Sequence, residues 1–421
     1  MRKKVGQIGP PLQSRREAKR TFFAAFAFAC FLFWWLPSLL FRLAGMEDPV
    51  KHWALCVSAL GFAAFTVGYF LPSPRFRREL PDWTLDTCED LAWKATVALA
   101  IPAMMVAVRF AWYRAGVSYG EGQGLSFLDQ AVLYTHLFFG FLYLGATEMR
   151  AGSRRRIFAA AALITLPRLI ISLQWGRFFF AQAVVPILFI AIARGWIHMG
   201  LKRWLQLGGL ALVIVFVPAI TRGDRVADQR ELVKFFAAGS SLERLQDNAH
   251  LDLANRCPPL LISLTDKVVP YQLLQICTVE VWGQRLPATL DRILTHNDVA
   301  AEGTGEGTGS NFLLELYLSG GLTVVILGSL IFGYTDGCFV DWIGRRSLFA
   351  GIWAECLSRS LFAPRSTVGY VYERVPSLVP VTFLVVLIAA ACRKGSSPSS
   401  TAGPKRLSGD LNEGLSTFDG N

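Results

Sequence analysis

The stretch Phe22–Leu40 reads FFAAFAFACFLFWWLPSLL and contains no charged residue. A helix that crosses the hydrocarbon core of a bilayer needs about 20 apolar residues, so this stretch is long enough to span it. A basic N-terminus precedes it, as in a signal peptide, but the stretch is long and no small-residue cleavage site follows. We therefore interpret Phe22–Leu40 as a retained first membrane span.

Similar apolar blocks recur along the chain. Of 421 residues, 53% are hydrophobic and 17% are charged, whereas soluble domains have about 25% charged residues. Long apolar blocks favour membrane spans over a large soluble core. We predict an all-α polytopic membrane protein with about ten transmembrane helices and one large periplasmic loop. The predicted spans are Phe22–Leu40, Trp53–Leu71, Ala95–Trp112, Phe127–Ala146, Ile157–Leu173, Phe178–Ala193, Leu205–Ile220, Phe312–Phe332, Ser347–Phe362 and Val375–Cys392.

Lysine and arginine residues orient these spans. With the N-terminus inside, the inside segments hold 23 basic residues and the short outside loops hold 6. Because basic residues favour the cytoplasmic side, we predict a multi-pass protein of the bacterial inner membrane with both termini in the cytoplasm. The same distribution accounts for the net charge of +11. No nucleic-acid partner is expected, since no basic stretch is combined with solvent-facing aromatic residues.

The spans divide the chain into four parts. Residues 1–220 form a transmembrane bundle of seven spans, 221–310 a large periplasmic loop with short helices, 311–393 three further spans, and 394–421 a disordered cytoplasmic tail. Cys257 and Cys277 share the loop, where they either form a disulfide or remain two thiols. No cysteine or histidine spacing fits a metal site, so we expect neither a metal nor a cofactor.

Several arginines are predicted to reach the outer surface together. Guanidinium groups stay charged and bind phosphate oxygens in pairs, so this set predicts a phosphate or pyrophosphate site. In the alternative interpretation, the arginines anchor to lipid headgroups or pair with Asp224, Asp228 and Glu355. The predicted pyrophosphate-binding residues are Arg168, Arg177, Arg222, Arg225 and Arg365.

Two residues are candidate catalytic groups. His296 lies in the large loop, and imidazole titrates near neutral pH, which suits a general base; an incidental loop histidine is the alternative. Glu315 lies one turn inside the eighth span, where a buried carboxylate needs a partner, and an arginine of the outer set is the natural one. The glycine-rich stretch 303–309 lacks the lysine of a phosphate-binding loop and no strand precedes it, so it does not predict a nucleotide site.

The segment 307–322 reads GTGSNFLLELYLSGGL. It resembles a segment of bacterial oligosaccharide repeat-unit polymerases of the Wzy type, which opens a span after their large periplasmic loop. The layout is also similar, with Gly176 and Arg177 opening a mid-chain span and Arg365 in the last outer loop. The positions that carry the local resemblance are Gly309, Ser310, Glu315, Tyr317, Gly320 and Gly321.

The resemblance implies a glycosyltransferase whose donor is a growing glycan on undecaprenyl pyrophosphate and whose acceptor is a repeat unit on a second such lipid. Arginines would stabilise the leaving pyrophosphate without a metal, and His296 or Glu315 would deprotonate the acceptor hydroxyl. Expected partners are the lipid-linked oligosaccharide, membrane lipids, a chain-length regulator and a flippase.

Three other functions compete with this interpretation. An O-antigen ligase would use the same donor with a different acceptor. A transporter or flippase for a lipid-linked saccharide should carry charges along the full depth of the bundle and show an internal repeat, and neither is evident in the sequence. The remaining alternative is a non-catalytic membrane subunit of an export or assembly complex.

Overall fold

The structure is a computed structural model. The residues that it describes, apart from isolated positions, are 12–45, 50–74, 81–114, 125–148, 153–174, 178–198, 258–265, 278–281, 284–287, 311–372 and 375–395.

Helices dominate this part of the chain, which confirms the prediction of a helical membrane protein. Five stretches are long and apolar enough to cross a membrane, and they are Ser14–Leu43, His52–Phe70, Asp82–Tyr113, Phe127–Ala146 and Phe312–Ile343. The total of ten spans stays a prediction, and most of Leu205–Ile220 lies outside the described residues. The helices are α1 (Leu12–Cys30), α2 (Leu36–Leu43), α3 (His52–Phe70), α4 (Asp82–Arg114), α5 (Phe127–Ala146), α6 (Arg154–Gln174), α7 (Phe178–Ala193), α8 (Pro259–Thr265), α9 (Phe312–Ile343), α10 (Ala350–Ser360), α11 (Val368–Tyr372) and α12 (Val375–Gly395).

Helices α3 and α9 form the closest pair in the bundle. Gly333 lies against the backbone of Phe65, and Gly337, one turn later, lies against the backbone of Tyr69. A Cβ atom on Gly333 would be only 2.1 Å from the Phe65 carbonyl oxygen. Small residues four positions apart let two membrane helices approach closely, so the two glycines explain this contact. The matching order of the contacts shows that α3 runs parallel to the second part of α9.

Helix α9 is folded back on itself rather than straight. Gly320 and Gly321 have non-helical backbone angles and separate a short arm, residues 312–319, from a long arm, residues 322–343. The rings of Phe312 and Phe332 lie 5.4 Å apart, and the Leu316 side chain fills the space beside Gly328. The two arms are therefore antiparallel. The predicted continuous span Phe312–Phe332 differs from this hairpin, because the sequence alone did not show that two consecutive glycines reverse the chain.

We define the upper end of the bundle as the end that holds His52 and the lower end as the end that holds Phe70. The Tyr317 ring of the short arm packs at a tilt against the Trp53 ring at the upper end, with 5.9 Å between ring centroids. Leu313 packs beside Gly61 in the middle of α3. The short arm thus begins in the middle of the bundle and climbs to the upper end, where the chain turns and the long arm descends.

Helix α10 does not cross the bundle by itself. Its 11 residues rise about 16 Å, about half of the hydrocarbon thickness. At its end, the Ser360 hydroxyl donates to Asp336 Oδ1 in the interior of the long arm at 3.0 Å. The predicted ninth span Ser347–Phe362 is therefore a half-length helix. A connection, residues 361–367, and the single-turn helix α11 follow it, and Ala363, Pro364 and Thr367 of the connection are buried.

Two pieces of the predicted large loop are described. Helix α8 packs on the short arm and on α11, where the Leu260 N–H donates to Ser319 Oγ at 3.0 Å and Ser263 contacts Gly369. Strands β1 (Thr278–Val281) and β2 (Gln284–Pro287) form an antiparallel hairpin. The sequence predicts a loop with short helices. The hairpin was missed, although β-branched residues before a two-residue connection that ends in glycine favour one.

At the lower end, two arginines tie helix ends together. The Arg194 guanidinium donates to five backbone carbonyls, at distances of 2.6 to 3.3 Å, in the last turns of α5 and α9 and in the residues that follow them. Burial, together with the charge of Arg346, lowers the pKa of Arg194 to about 10, which still leaves it cationic at neutral pH. Because the last carbonyls of a helix have no intrahelical donor, one arginine satisfies the ends of two helices.

Candidate functional site

The candidate site is built around Glu315 in the short arm of α9. Asn311 starts the arm, and its side chain accepts a hydrogen bond from the Leu314 N–H at 2.6 Å, as expected of an N-cap residue. Glu315 is fully buried, and its Oε2 accepts a hydrogen bond from the Val368 N–H at 2.6 Å. This carboxylate therefore joins the short arm to α11. One partner of this carboxylate is thus a backbone N–H, and the arginine partner expected from the sequence stays a prediction.

Residues 361–372 supply the other wall of the site. Trp34, in the π-helical turn Phe31–Trp35 of the first span, donates from Nε1 to the Pro364 carbonyl at 3.1 Å. The Ser366 hydroxyl donates to the Phe362 carbonyl at 2.8 Å. The Tyr370 N–H donates to Thr367 Oγ1 at 3.2 Å. These contacts hold a non-spanning stretch of chain inside the bundle, beside Glu315.

A buried ion pair lies directly behind this wall. Arg359 and Glu355 are one turn apart on α10, and Arg359 Nη2 lies 3.2 Å from Glu355 Oε1. The exposed fractions of these side chains are 1% and 7%. Arg359 Nη1 also donates to the Tyr370 carbonyl at 3.0 Å, and its guanidinium carbon lies 4.7 Å from the Tyr370 ring centroid. The pair thus contacts the segment that binds Glu315.

Arg168 lies in a second buried position near the N-terminal end of α7. Its guanidinium carbon is 4.9 Å from the Tyr134 ring centroid and 5.8 Å from that of Phe179. The side chain lines a cavity of about 80 Å³ together with Gln130 and Leu133. Since Arg168 is only 2% exposed, its charge lies in a largely desolvated position.

Helix α7 connects the surroundings of the two buried arginines. Phe179 contacts Arg168, and Gln182, three residues later, lies 3.5 Å from the Tyr370 hydroxyl through its Nε2. Residues three apart on a helix share a face. The first turns of α7 therefore link the Arg168 cavity to the Tyr370 ring that covers Arg359.

Only part of the predicted arginine cluster can be compared with the structure. Arg168 and Glu315 are described and buried. The backbone of Arg365 is in the short 3₁₀ turn Ala363–Arg365, beside Trp34, but its side chain lies outside the described residues. The assembly of the full cluster stays a prediction. The other predicted residues, Arg177, Arg222, Arg225, His296, Cys257 and Cys277, also lie outside the described residues.

The sequence prediction left Arg359 and Asp336 out of the candidate site. A usable signal was present, since Glu355 and Arg359 are four residues apart in an apolar segment and charged residues at membrane depth are commonly functional. The sequence analysis includes Glu355 only in the alternative interpretation, as an acidic partner for the arginines. Within the described residues, no three histidine, cysteine or acidic side chains are close enough to hold a metal ion.

Comparison with known proteins finds a similarity in the C-terminal part of the chain. No curated protein and no solved structure matches the chain. The family model described as O-antigen polysaccharide polymerase Wzy matches residues 286–394. This range contains Glu315, Glu355, Arg359 and the whole segment 361–372. The match confirms the resemblance predicted from the short-arm sequence: residues 286–394, about a quarter of the chain, are similar to the Wzy-type polymerase family.

Proposed function

We propose that the chain polymerises undecaprenyl-pyrophosphate-linked oligosaccharide repeat units at the periplasmic face of the bacterial inner membrane. The observation that carries the proposal is the fully buried Glu315, inside the family-matched range and bound to Val368 of α11. A carboxylate at membrane depth is costly and is a candidate for function by default. The product is an O-antigen or a related surface polysaccharide.

The reaction is a glycosyl transfer between two lipid-linked substrates. The acceptor hydroxyl oxygen forms a bond to the anomeric carbon of the donor glycan, and the bond between that carbon and the pyrophosphate oxygen breaks. The electron pair leaves with undecaprenyl pyrophosphate, and the hydroxyl proton passes to a base. We assign the base to Glu315 or His296, since both residue types serve as general bases.

Arginines stabilise the leaving group in this proposal, without a metal. Negative charge develops on the pyrophosphate as the bond breaks, and preorganised cations in a water-poor site stabilise such charge most effectively. The burial of Arg168 beside a cavity supports its role. The proposed set is Arg168, Arg177, Arg222, Arg225 and Arg365.

An open apolar groove offers a position for a polyprenyl tail. It has a volume of about 660 Å³ and lies between α4 and α6, lined by residues such as Ile101, Met105 and Leu163. Arg109 and Trp112 lie at its upper end, where Arg109 pairs with Asp129. A long isoprenoid chain bound there would keep its charged head near the upper end of the bundle, which agrees with the proposed location of the chemistry.

The proposal is tested in a strain that lacks this gene and carries variants of it. The measurement is the length of the glycans on the carrier lipid. The Arg168→Ala and Glu315→Gln proteins should be present in the membrane. The carrier lipids in these strains should bear single repeat units, because chain extension stops. Arg156→Ala is the matched control, since Arg156 is on the same helix as Arg168 but is exposed at the lower end, and it should give chains of normal length.

The accumulated glycan also distinguishes the alternatives. Long chains retained on the carrier lipid would indicate a ligase, and single units retained on the cytoplasmic face would indicate a flippase. Normal surface polymer in both Arg168→Ala and Glu315→Gln would contradict the proposed site.

A further inference from the structure

The Glu355–Arg359 pair is buried deeply enough to require an explanation. Both side chains are almost completely excluded from the surface. Burying two charges costs about as much as their attraction returns, so such a pair is weak evidence for stability. Buried ion pairs are best explained where they determine the position of something else. The question is therefore what Arg359 positions.

Arg359 contacts both the backbone and the ring of Tyr370. Nη1 donates to the Tyr370 carbonyl at 3.0 Å, while the guanidinium lies over the Tyr370 ring. The Arg359 guanidinium thus makes a charge-assisted hydrogen bond and a cation–π contact with Tyr370. The two contacts restrict the position of Tyr370 in two directions. Glu355 restricts the guanidinium in turn, from the preceding turn of the same helix.

Tyr370 is two residues after Val368, in the single-turn helix α11. The N–H that binds Glu315 and the carbonyl that binds Arg359 therefore belong to the same turn of backbone. A shift of Tyr370 moves the Val368 N–H relative to Glu315 Oε2. Contacts run from Glu355 through Arg359, Tyr370 and Val368 to Glu315.

Other tethers already hold the segment in the bundle. Trp34 binds Pro364, and Ser360 binds Asp336, both before α11 begins. Gln182 reaches only the Tyr370 hydroxyl, at 3.5 Å. Among the described residues, two charged side chains bind the α11 backbone: Glu315 accepts from the Val368 N–H, and Arg359 donates to the Tyr370 carbonyl in the same turn.

We infer that Arg359, held by Glu355, is a positioning residue that orients α11 so that the Val368 N–H holds the Glu315 carboxylate for proton abstraction. The inference rests on the proposed function, with Glu315 rather than His296 as the base that acts on the acceptor hydroxyl. Arg359 acts through α11 and does not touch substrate. Small misplacements of a catalytic group lower turnover strongly, whereas substrate binding by distant groups is retained.

A double-variant cycle on the purified full-length protein tests this inference, with polymerisation of a lipid-linked repeat unit as the assay. Arg359→Lys keeps the positive charge but loses the planar guanidinium, which donates to Glu355 and to the Tyr370 carbonyl at the same time. It should lower kcat about 10-fold and change KM less than about twofold. Glu315→Asp shortens the side chain and breaks the Val368 contact by itself, so adding Arg359→Lys to it should have little further effect.

Arg346→Lys is the matched control. Arg346 also joins carboxylates, those of Asp86 and Glu89, to one backbone carbonyl, that of Ala146, but at the lower end of the bundle. Arg346→Lys should change kcat by the same factor whether residue 315 is Glu or Asp. The comparison distinguishes an effect that acts through the Glu315 contact from a general destabilisation of the fold.

The inference would be overturned if Arg359→Lys lowered kcat by the same factor with Glu315 and with Asp at that position. A change in KM alone would also overturn it. If Arg359→Lys does not accumulate in the membrane, Glu355→Gln enters the same cycle with the same expectation, since it removes only the charge that holds Arg359. Full activity of Glu315→Gln would instead contradict the proposed role of Glu315, which is a distinguishable failure.

Discussion

The rings of Phe312 and Phe332 lie 5.4 Å apart, although 20 residues separate them along one apolar stretch. In a straight helix they would be about 30 Å apart. The contact exists because the backbone reverses at Gly320 and Gly321. As a result, Glu315 lies in the interior of the bundle on an arm that climbs toward the upper end, beside residues 361–372.

Gly321 should be sensitive to the addition of a single methyl group. Its φ of 65° and ψ of −157° lie in a region that essentially only glycine adopts. Gly321→Ala should lower the free energy of unfolding by about 1–3 kcal/mol and reduce polymer formation, because the short arm carries Glu315. Thermal unfolding in detergent measures the first effect. Gly200→Ala is the control, since a Cβ there meets no atom within 4 Å.

Gly333 should be equally intolerant of alanine, for a different reason. Its Cβ would overlap the Phe65 carbonyl oxygen, which belongs to the backbone and cannot rotate away. Gly333→Ala should push α3 and α9 apart and destabilise the protein by about 1–3 kcal/mol. Thermal unfolding in detergent is again the measurement. Stability equal to that of the unmodified protein would show that the two helices are not packed this closely.

Arg194 should be essential for stability but not for the chemistry. Arg194→Ala leaves five backbone carbonyls without their charged donor and should cost about 2 kcal/mol or more. The fraction that remains folded should still produce long chains, because Arg194 is at the lower end. Accumulated single repeat units from a stably folded Arg194→Ala protein would contradict this assignment.

Reporter fusions test the predicted topology. Fusions at Ser153, before α6, and at Gly239, in the predicted periplasmic loop, should report opposite sides of the membrane, with Ser153 in the cytoplasm. A periplasmic phosphatase and a cytoplasmic fluorescent protein make suitable paired reporters. If both fusions report the same compartment, the predicted number of spans between Ser153 and Gly239 is wrong.

His296→Ala distinguishes the two candidate bases. If Glu315 takes the proton, His296→Ala should retain most of the turnover, while Glu315→Gln should lose a factor of about 100 or more. Initial rates with the lipid-linked repeat unit provide the measurement. The reverse pattern would assign proton abstraction to His296 and leave Glu315 a structural role.

The sequence by itself determined that this is a helical membrane protein and indicated the family that its C-terminal part resembles. Long uncharged stretches such as Phe22–Leu40 require a bilayer, because so much continuous apolar surface has no other environment. The local motif around Glu315 was sufficient for the resemblance that the match over residues 286–394 confirms. Both properties are local, so they can be identified without knowing which helices touch.

Only the tertiary structure decided where Glu315 lies and what surrounds it. Hydropathy is the same for a straight helix and for one folded at Gly320 and Gly321, so the pattern predicted a continuous span. The contacts of Glu315 with Val368 and of Arg359 with Tyr370 join separate elements. Such contacts depend on how helices pack in three dimensions, and neither periodicity nor charge distribution along the chain contains that information.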